Sequence, residues 1–445
     1  MEKIIVKGGK ALCGEVRASG SKNASLPLIF ASLIIDGEVS LRNVPDIGDV
    51  RVALELLSDF GAEISFSEGV LRINSAKVKY LDPNPRLSGK IRASTYLMGA
   101  SLARFGRAEI PSSGGCNFSY RPIDFHINSA KAFGAVELEN HLFAKELRGC
   151  KIALPKPSVG ATINALLMAT SAEGQSEISG FAKEPHVLAV IDFLRAAGAE
   201  IQLEGEKIRI RKSHLHFVDF TIIGDMIEAG TYLTAALITG GKIKLTGINP
   251  SELFAYLDII KSLGYNPEIL PGGVFLDSGN RCYFASEKPL RSTRNTSEKR
   301  KNPGNKISVF AAPYPAFPTD LQPIIAPLLA GEMGGEIVDL VFPDRFGYLG
   351  NLAAFGIKST VESYESGIED SQKALRQSYA KIEKSQLKSG TAVAPDLRGG
   401  MACLLAALGA KGRSEINSPE IILRGYDKLI EKMISLGADI KHLKM

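Results

Sequence analysis

DFLRAAGAEIQL, residues 192–203, reads as a short amphipathic helix, a glycine stop and an alternating strand. The same figure recurs as LELLSDFGAEI (54–64), SAKAFGAVEL (129–138), DIIKSLGYNPEI (258–269), NLAAFGIKSTV (351–361) and EKMISLGADI (431–440). The stops fall at Gly61, Gly134, Gly198, Gly264, Gly356 and Gly437. A second figure precedes each copy: an apolar helix rich in Ala, Gly and Ser, a glycine turn and a strand. ASLPLIFASLIIDGEVSL (24–41), TYLMGASLARFGRAEI (95–110) and GMACLLAALGAKGRSEI (400–416) are examples. Small side chains suit helices packed closely in fully buried positions. Helix, strand, helix, strand, repeated six times, makes an α/β module of roughly 65 residues the building unit.

Six units divide into three and three, with a boundary near residues 224–230, and two similar lobes would place a substrate cleft between them. Two wide separations between stops locate insertions. EKPLRSTRNTSEKRKNPGNK (287–306) holds seven basic and two acidic residues, equal to the +5 of the whole chain. With no aromatic interleaved, it reads as a solvated loop rather than a nucleic-acid patch. The other insertion, 368–387, puts Ile368, Leu375, Tyr379 and Ile382 on one stripe and is expected to be a packed surface helix.

Composition narrows the class. With 45% hydrophobic and 23% charged residues over 445, the chain can fill two to four cores and is not a disordered segment. Its 53 basic against 48 acidic residues are too small an excess for a dedicated nucleic-acid binder. Apolar runs such as LPLIFASLII (26–35) reach about half the roughly 20 residues that span a bilayer. The N-terminus reads as strand, turn and strand rather than as a signal peptide. A soluble, cytoplasmic protein with no membrane or nucleic-acid partner is expected. Five scattered cysteines without a CxxC pair oppose a disulfide framework and a structural zinc site.

Polar and charged residues gather where the buried helices start: SGSKNAS (19–25), GKIRAST (89–95), KPSVGAT (156–162), GDMIEAGT (224–231), PAFPTDLQ (315–322) and PDLRGG (395–400). Their Ser, Thr and Asp can be ordinary N-caps. Helix starts also present N–H groups and the positive end of the dipole. Lys22, Arg92, Lys156 and Arg398 add cations, so the repetition favours an anionic, phosphorylated substrate. In PSSGGCNFSYRPIDFH (111–126), Cys116 follows a flexible Ser-Ser-Gly-Gly and can be an inert thiol or, near cations, a nucleophile or acid. Cys13, Cys150, Cys282 and Cys403 have no such setting and read as structural. Asp320 can be an N-cap or a general base aimed into a cleft. Arg424-Gly425-Tyr426 can add an anion clamp. His214 and His216 lack an evident third metal ligand, and G-x-S-x-G, Walker A and helix-opening GxGxxG motifs are missing.

In order and spacing, SGSKNA, IRAS, GGC followed by RPIDFH, PSVGAT, PAFPTDLQ, DLRGG and RGY resemble the motifs of the enolpyruvyl transferases across nearly the whole chain. The GGC loop is similar to the branch that acts on a sugar nucleotide; the sister branch, which makes 5-enolpyruvylshikimate 3-phosphate, shares the fold but carries other substrate motifs. The resemblance implies a two-lobed inside-out α/β barrel of six βαβαββ-type units, three per lobe. One lobe would be 22–224, the other 1–21 plus 225–445. It implies transfer of the enolpyruvyl group of phosphoenolpyruvate to the 3-hydroxyl of UDP-N-acetylglucosamine, with release of phosphate by addition and elimination, committing the sugar nucleotide to peptidoglycan. Those two small molecules are the partners implied; no metal or organic cofactor is, and a monomer is expected.

By the same resemblance, Cys116 protonates the methylene carbon of phosphoenolpyruvate and Asp320 takes the proton of the 3-hydroxyl. Lys22, Asn23, Arg121, Arg398 and Arg424 hold phosphoenolpyruvate, Lys22 and Arg398 as part of the catalytic set. Asn23, Arg92, Arg121, Pro122, Ile123, Asp124, Phe125, Lys156, Ser158, Val159, Gly160, Asp320 and Val341 hold the sugar nucleotide. The chain departs from the family pattern at Ser119 and Met226, where Gly and Arg are usual, at Pro343-Asp344, where Glu-Asn is usual, and in its two insertions. Another nucleotide or sugar-nucleotide acceptor, or a sugar-nucleotide-binding relative without catalysis, are the alternatives these departures leave.

Overall fold

In the computed structural model, which describes residues 2–111, 122–281, 307–370 and 373–444 (364–370 and 373–377 as backbone), the chain divides into two compact units. Among the described residues, one holds 19–111 and 122–223; the other lies within Met1–Ala18 and Gly224–Met445. Each has its own core. The first draws its buried apolar side chains from Ala24 to Ile222. The second draws them from Ile4 to Ala18 and from Met226 to Ile440.

Each unit repeats one motif three times, and residues 151–211 give its full form. Strand Lys151–Ala153 leads to the buried helix Val159–Ser171 and strand Gln175–Ser179, then to the amphipathic helix Pro185–Ala196 and the hairpin of Glu200–Glu204 with Lys207–Arg211. The two strands joined by the buried helix run parallel, as a helical crossover allows, and the hairpin extends the sheet antiparallel. Ile178 faces Ile152 on one side and Ile208 on the other, all three in the core. On the opposite face Lys207 and Arg209 reach Glu177. Four other sheets have this order, and a sixth (Arg107–Glu109, His141–Phe143, Val136–Leu138) has three strands among the described residues.

The six glycine stops have φ between +79° and +104°, a region closed to most other residues without strain. The small-residue helices are the buried ones: Met226–Thr239 is buried without a break from Met226 to Leu237, and Leu397–Gly409 from Leu397 to Leu408. These two and Gln322–Glu332 pack on one another. A Cβ on Gly230 would lie 2.6 Å from Leu321, and one on Gly400 2.7 Å from Ala394. A larger residue at Gly230 would have to displace the Leu321 side chain, and one at Gly400 would have to shift the backbone that carries Ala394.

One strand expectation is refined. The N-terminal strands do form, as Lys3–Gly8 and Cys13–Arg17, but they part company. The first lies between Gly412–Asn417 and Asp439–Leu443, and the second runs parallel to Lys242–Thr246. In the other unit Val218–Thr221 runs parallel to Glu38–Arg42, completing the first repeat with a strand from the third.

Residues 368–387 are not the expected surface helix. Lys373–Ile382 is a strand between Ser359–Asp370 and Gly335–Asp339. Ser378, Ala380 and Ile382 turn inward, while Tyr379 and Lys381 meet Glu362. The helical stripe misled because two inward positions carry small residues that leave no apolar alternation. Helix propensity differs by only about 0.7 kcal/mol per residue, so pairing with an open strand decides the outcome. The basic stretch 287–306 lies outside the described residues.

Candidate active site

Four of the six polar helix starts are N-caps in the plain sense. Ser21 accepts from Ala24 N, Ser158 from Ala161 N, Asp225 from Ile227 N and Glu228 N, and Asp396 from Arg398 N and Gly399 N. The groups beside these caps carry the chemistry.

In the unit of Met1–Ala18 and Gly224–Met445, three helix starts meet. Asp320 sits in the 3₁₀ turn Thr319–Leu321 that leads into Gln322–Glu332. Its Oδ1 accepts from Nη2 of Arg345 at 2.8 Å and its Oδ2 from Nη2 of Arg398 at 3.2 Å. Both arginines are buried, at 4% and 3% exposure, whereas the Asp320 side chain is 29% exposed. Two desolvated guanidinium groups therefore grip one carboxylate that still opens outward. Arg398 lies 5.4 Å from the ring centre of Tyr426. Tyr426 donates to Thr231 Oγ1 at 3.1 Å, because the Thr231 proton is used on Ile227 O. Desolvation opposes the charge of Arg398, but Tyr426, Asp320 and Asp225 outweigh it and raise its pKa. Among the described residues the Arg398 Nε–H meets no acceptor.

Arg345 is anchored a second time. Its Nη1 donates to Thr319 Oγ1 at 3.1 Å, and the Thr319 hydroxyl donates to Asp339 Oδ2 at 2.6 Å. The other Asp339 oxygen accepts from Val341 N at 2.9 Å and Phe342 N at 2.8 Å. Asp339 is fully buried; desolvation raises its pKa, partly offset by those hydrogen bonds and by Arg345. Val341 is thus held by its backbone at the turn that carries Arg345. Arg424 is half-buried at the end of Glu420–Leu423.

The unit of residues 19–223 holds a second set. Lys22 opens Lys22–Ala31 and pairs with Asp49 at 3.1 Å, both side chains largely buried, and Asn23 follows it. Arg92 opens the 3₁₀ turn Arg92–Thr95, and desolvation lowers its pKa. Asn164, fully buried on Val159–Ser171, accepts from Gly99 N at 2.8 Å and donates to Thr95 O at 3.0 Å. Its Nδ2 also lies 2.6 Å from His126 Nδ1. An amide nitrogen only donates, so Nδ1 accepts and the imidazole proton sits on Nε2. Burial first, and Arg92 second, push the pKa of His126 down to about 4. A Cβ on Gly160 would lie 2.6 Å from the Cε1 of that ring, so a glycine is what admits the imidazole to the helix start. Lys156 is exposed, with its ammonium 5.8 Å from the Phe125 ring centre. Pro122 and Asp124 are exposed; Ile123, Phe125, Ser158, Val159 and Gly160 are half-buried.

Of the residues singled out by sequence, Lys22, Asn23, Arg92, Pro122, Ile123, Asp124, Phe125, Lys156, Ser158, Val159 and Gly160 belong to one unit, and Asp320, Val341, Arg398 and Arg424 to the other. Cys116, Ser119, Arg121 and Cys282 lie outside the described residues. Sequence reasoning missed Arg345, Asp339, His126 and Asn164. A signal existed for Asn164, a polar residue inside the apolar run INALLMATS (163–171), where burial demands partners. His214 faces Asp36 at 3.6 Å, and no cluster of three metal-ligating side chains occurs among the described residues. Cys403 is buried, its thiol pushed up to about 12 by desolvation, but Cys13, expected to be structural, is exposed. No described helix is long and apolar enough to cross a membrane.

Comparison with known proteins agrees with this architecture. The family model of EPSP synthase (3-phosphoshikimate 1-carboxyvinyltransferase) matches residues 6–433. A UDP-N-acetylglucosamine 1-carboxyvinyltransferase of Prosthecochloris aestuarii is 37% identical over 452 residues, covering 99% of this chain and 98% of its own. UDP-N-acetylglucosamine 1-carboxyvinyltransferase 3 of Caldanaerobacter subterraneus subsp. tengcongensis is 35% identical, each covered in full. Among solved structures, the enolpyruvyl transferase NikO from Streptomyces tendae matches with a TM-score of 0.82 at 25% identity, covering 100% of this chain and 99% of its own. An EPSP synthase from Acinetobacter baumannii, at 18% identity and a TM-score of 0.67 over both whole chains, shares the fold.

Proposed function

The chain belongs to the EPSP synthase family of enolpyruvyl transferases, and from that premise we propose that it transfers the enolpyruvyl group of phosphoenolpyruvate to the 3-hydroxyl of UDP-N-acetylglucosamine, releasing phosphate, in peptidoglycan synthesis. The observation that carries this reading is the carboxylate of Asp320, oriented at a buried helix start between the guanidinium groups of Arg345 and Arg398. A fixed, ionised carboxylate is what removal of a hydroxyl proton needs. Phosphoenolpyruvate carries about three negative charges, and preorganised cations stabilise them with little reorganisation.

In the addition step the sugar 3-oxygen bonds to C2 of phosphoenolpyruvate, its proton passes to Asp320, and C3 gains a proton from Cys116. In the elimination step phosphate leaves C2 with the proton that Asp320 took up, and C3 returns a proton to the Cys116 thiolate, restoring the double bond in the ether product. Lys22, Asn23, Arg121, Arg398 and Arg424 bind the phosphate and carboxylate in this reading. Among the described residues Arg398 has an N–H without an acceptor, and a second N–H is on Asp320. An arriving anion competes for that second donor, and Asp320 gains basicity as it loses a cationic partner. Arg92, Pro122, Ile123, Asp124, Phe125, Lys156, Ser158, Val159, Gly160 and Val341 hold the nucleotide and sugar. The protein acts in the cytoplasm as a monomer, without metal or organic cofactor.

The test is phosphate release from phosphoenolpyruvate with and without UDP-N-acetylglucosamine, for wild type and Asp320→Asn. Acceptor-dependent release by wild type, abolished in the variant, is expected. Release with UDP-glucose equal to that with UDP-N-acetylglucosamine would overturn the acceptor, and an active Asp320→Asn would overturn the base.

A further inference from the structure

We infer that Asn164 is a positioning residue for the acceptor: from inside a buried helix it sets the turn of Arg92 and residues 123–125 against the helix start at residues 158–160, while itself touching no substrate. The inference rests on the reading of those three segments as the seat of the nucleotide and adds to it the group that assembles the seat.

Asn164 lies in Val159–Ser171, six residues past the cap Ser158, and is fully buried, so its carboxamide must find its partners inside the protein. It finds them on the two helices packed against its own, Tyr96–Phe105 and Asp124–Ala132. On the first, Gly99 N donates to Oδ1 at 2.8 Å and Nδ2 donates to Thr95 O at 3.0 Å. That N–H and that carbonyl are four residues apart, the pair that would bond to each other in an opening α-turn. The carboxamide therefore sits across the joint between the 3₁₀ turn Arg92–Thr95 and the helix that follows, and the setting of that joint aims Arg92. On the second helix, Nδ2 gives its other proton to His126 Nδ1 at 2.6 Å. His126 is the residue that follows 123–125, and its own N–H donates back to Ile123 O at 3.0 Å.

The carboxamide has two protons and two lone pairs, and both protons and one lone pair are in use. Room is made for it on both sides. A Cβ on Gly99 would lie 2.4 Å from Asn164 Oδ1, and one on Gly160 2.6 Å from His126 Cε1. Elsewhere the same helix packs through apolar side chains such as Leu166 and Leu167, whose contacts have no preferred direction. The three bonds of Asn164 do have one, and they act where Arg92, residues 123–125 and residues 158–160 converge within one unit. A misplacement of about 1 Å among groups that hold one ligand is enough to cost much of its binding.

The experiment measures UDP-N-acetylglucosamine binding by calorimetry, and the KM of each substrate in phosphate release, for wild type, Asn164→Leu, Asn164→Asp, Arg92→Ala, Arg92→Ala with Asn164→Leu, Lys156→Ala and Phe125→Ala. Asn164→Leu, close in shape but without polar atoms, is expected to weaken acceptor binding about 10–30-fold and to raise the acceptor KM alike, with the KM of phosphoenolpyruvate and kcat at saturating acceptor within about threefold. Asn164→Asp cannot give a proton to both Thr95 and His126, and loses acceptor affinity to a similar degree. Part of the loss runs through Arg92, so the double variant falls short of the product of the two single losses by about threefold or more. Wild-type acceptor affinity in Asn164→Leu, a KM of phosphoenolpyruvate that rises as far as that of the acceptor, or single losses that simply multiply, overturns the proposal. If Asn164→Leu shows no cooperative urea transition, Asn164→Asp decides on the same criteria of affinity and KM. Wild-type affinity in both Lys156→Ala and Phe125→Ala would sink the nucleotide seat itself; weakened binding there beside a normal Asn164→Leu sinks only this inference.

Discussion

His126 gives the protein a defined sensitivity to acid. It is buried, accepts the Asn164 amide at Nδ1 and has a pKa of about 4 against an ordinary value of 6.5. The unfolded chain binds the proton first, so unfolding is favoured as pH falls from 6.5 toward 4, and the stability of the neutral form is fully present above 6.5. Linkage between these two values puts the loss at about 1 kcal/mol at pH 6, about 2 kcal/mol at pH 5 and about 3 kcal/mol at pH 4. The perturbation is His126→Gln, which keeps an acceptor near Asn164 and cannot titrate. Urea denaturation of both proteins every half pH unit from 7.5 to about 4 reads the difference, and subtraction cancels every other titrating group. The stability gap between wild type and variant should shrink by about 3 kcal/mol across that window. A gap that stays constant, or that widens toward acid, would refute a buried neutral imidazole.

Gly160→Ala places a methyl 2.6 Å from the His126 ring and is expected to cost about 1–3 kcal/mol in denaturation while raising the His126 pKa seen by NMR, since the ring must turn away from its buried seat. An unchanged imidazole titration would refute that contact. Asp396→Ala removes the cap of Leu397–Gly409, with an expected loss of about 1–2 kcal/mol and a higher KM for phosphoenolpyruvate, because Arg398 is donor and cargo of that first turn; Asp396→Ser should restore most of both. With a thiol reagent at pH 8, peptide mapping should find Cys13 modified and Cys403 untouched in the folded protein, and prompt labelling of Cys403 would contradict its burial and high pKa.

Much of the fold was legible because it is periodic. Six glycine stops and six small-residue helices announce themselves within short windows, where each local signal is complete. The partners of Lys3–Gly8 were not legible, since a strand carries no mark of which distant edge it joins. Residues 373–382 were misread because Ser378 and Ala380 face the core with side chains too small to register as apolar. At the site, motifs whose members adjoin in sequence were found. The pairs that decide its hydrogen bonding and charge were not: Asp320 and Arg345 lie 25 residues apart, and His126 and Asn164 lie 38 apart, so only the fold reveals that these partners meet.

The placement of Lys3–Gly8 also sets a clock during synthesis. Lys3 and its partner Glu415 are separated by 412 residues, so at about 5–20 residues per second the strand leaves the ribosome roughly 20–80 s before its neighbours exist. Residues 19–223, whose last strand Val218–Thr221 closes onto Glu38–Arg42, can meanwhile fold behind it. For that interval the nascent chain carries KIIVKG as an unpaired apolar strand, a natural docking point for a chaperone and the segment through which truncated translation products would aggregate.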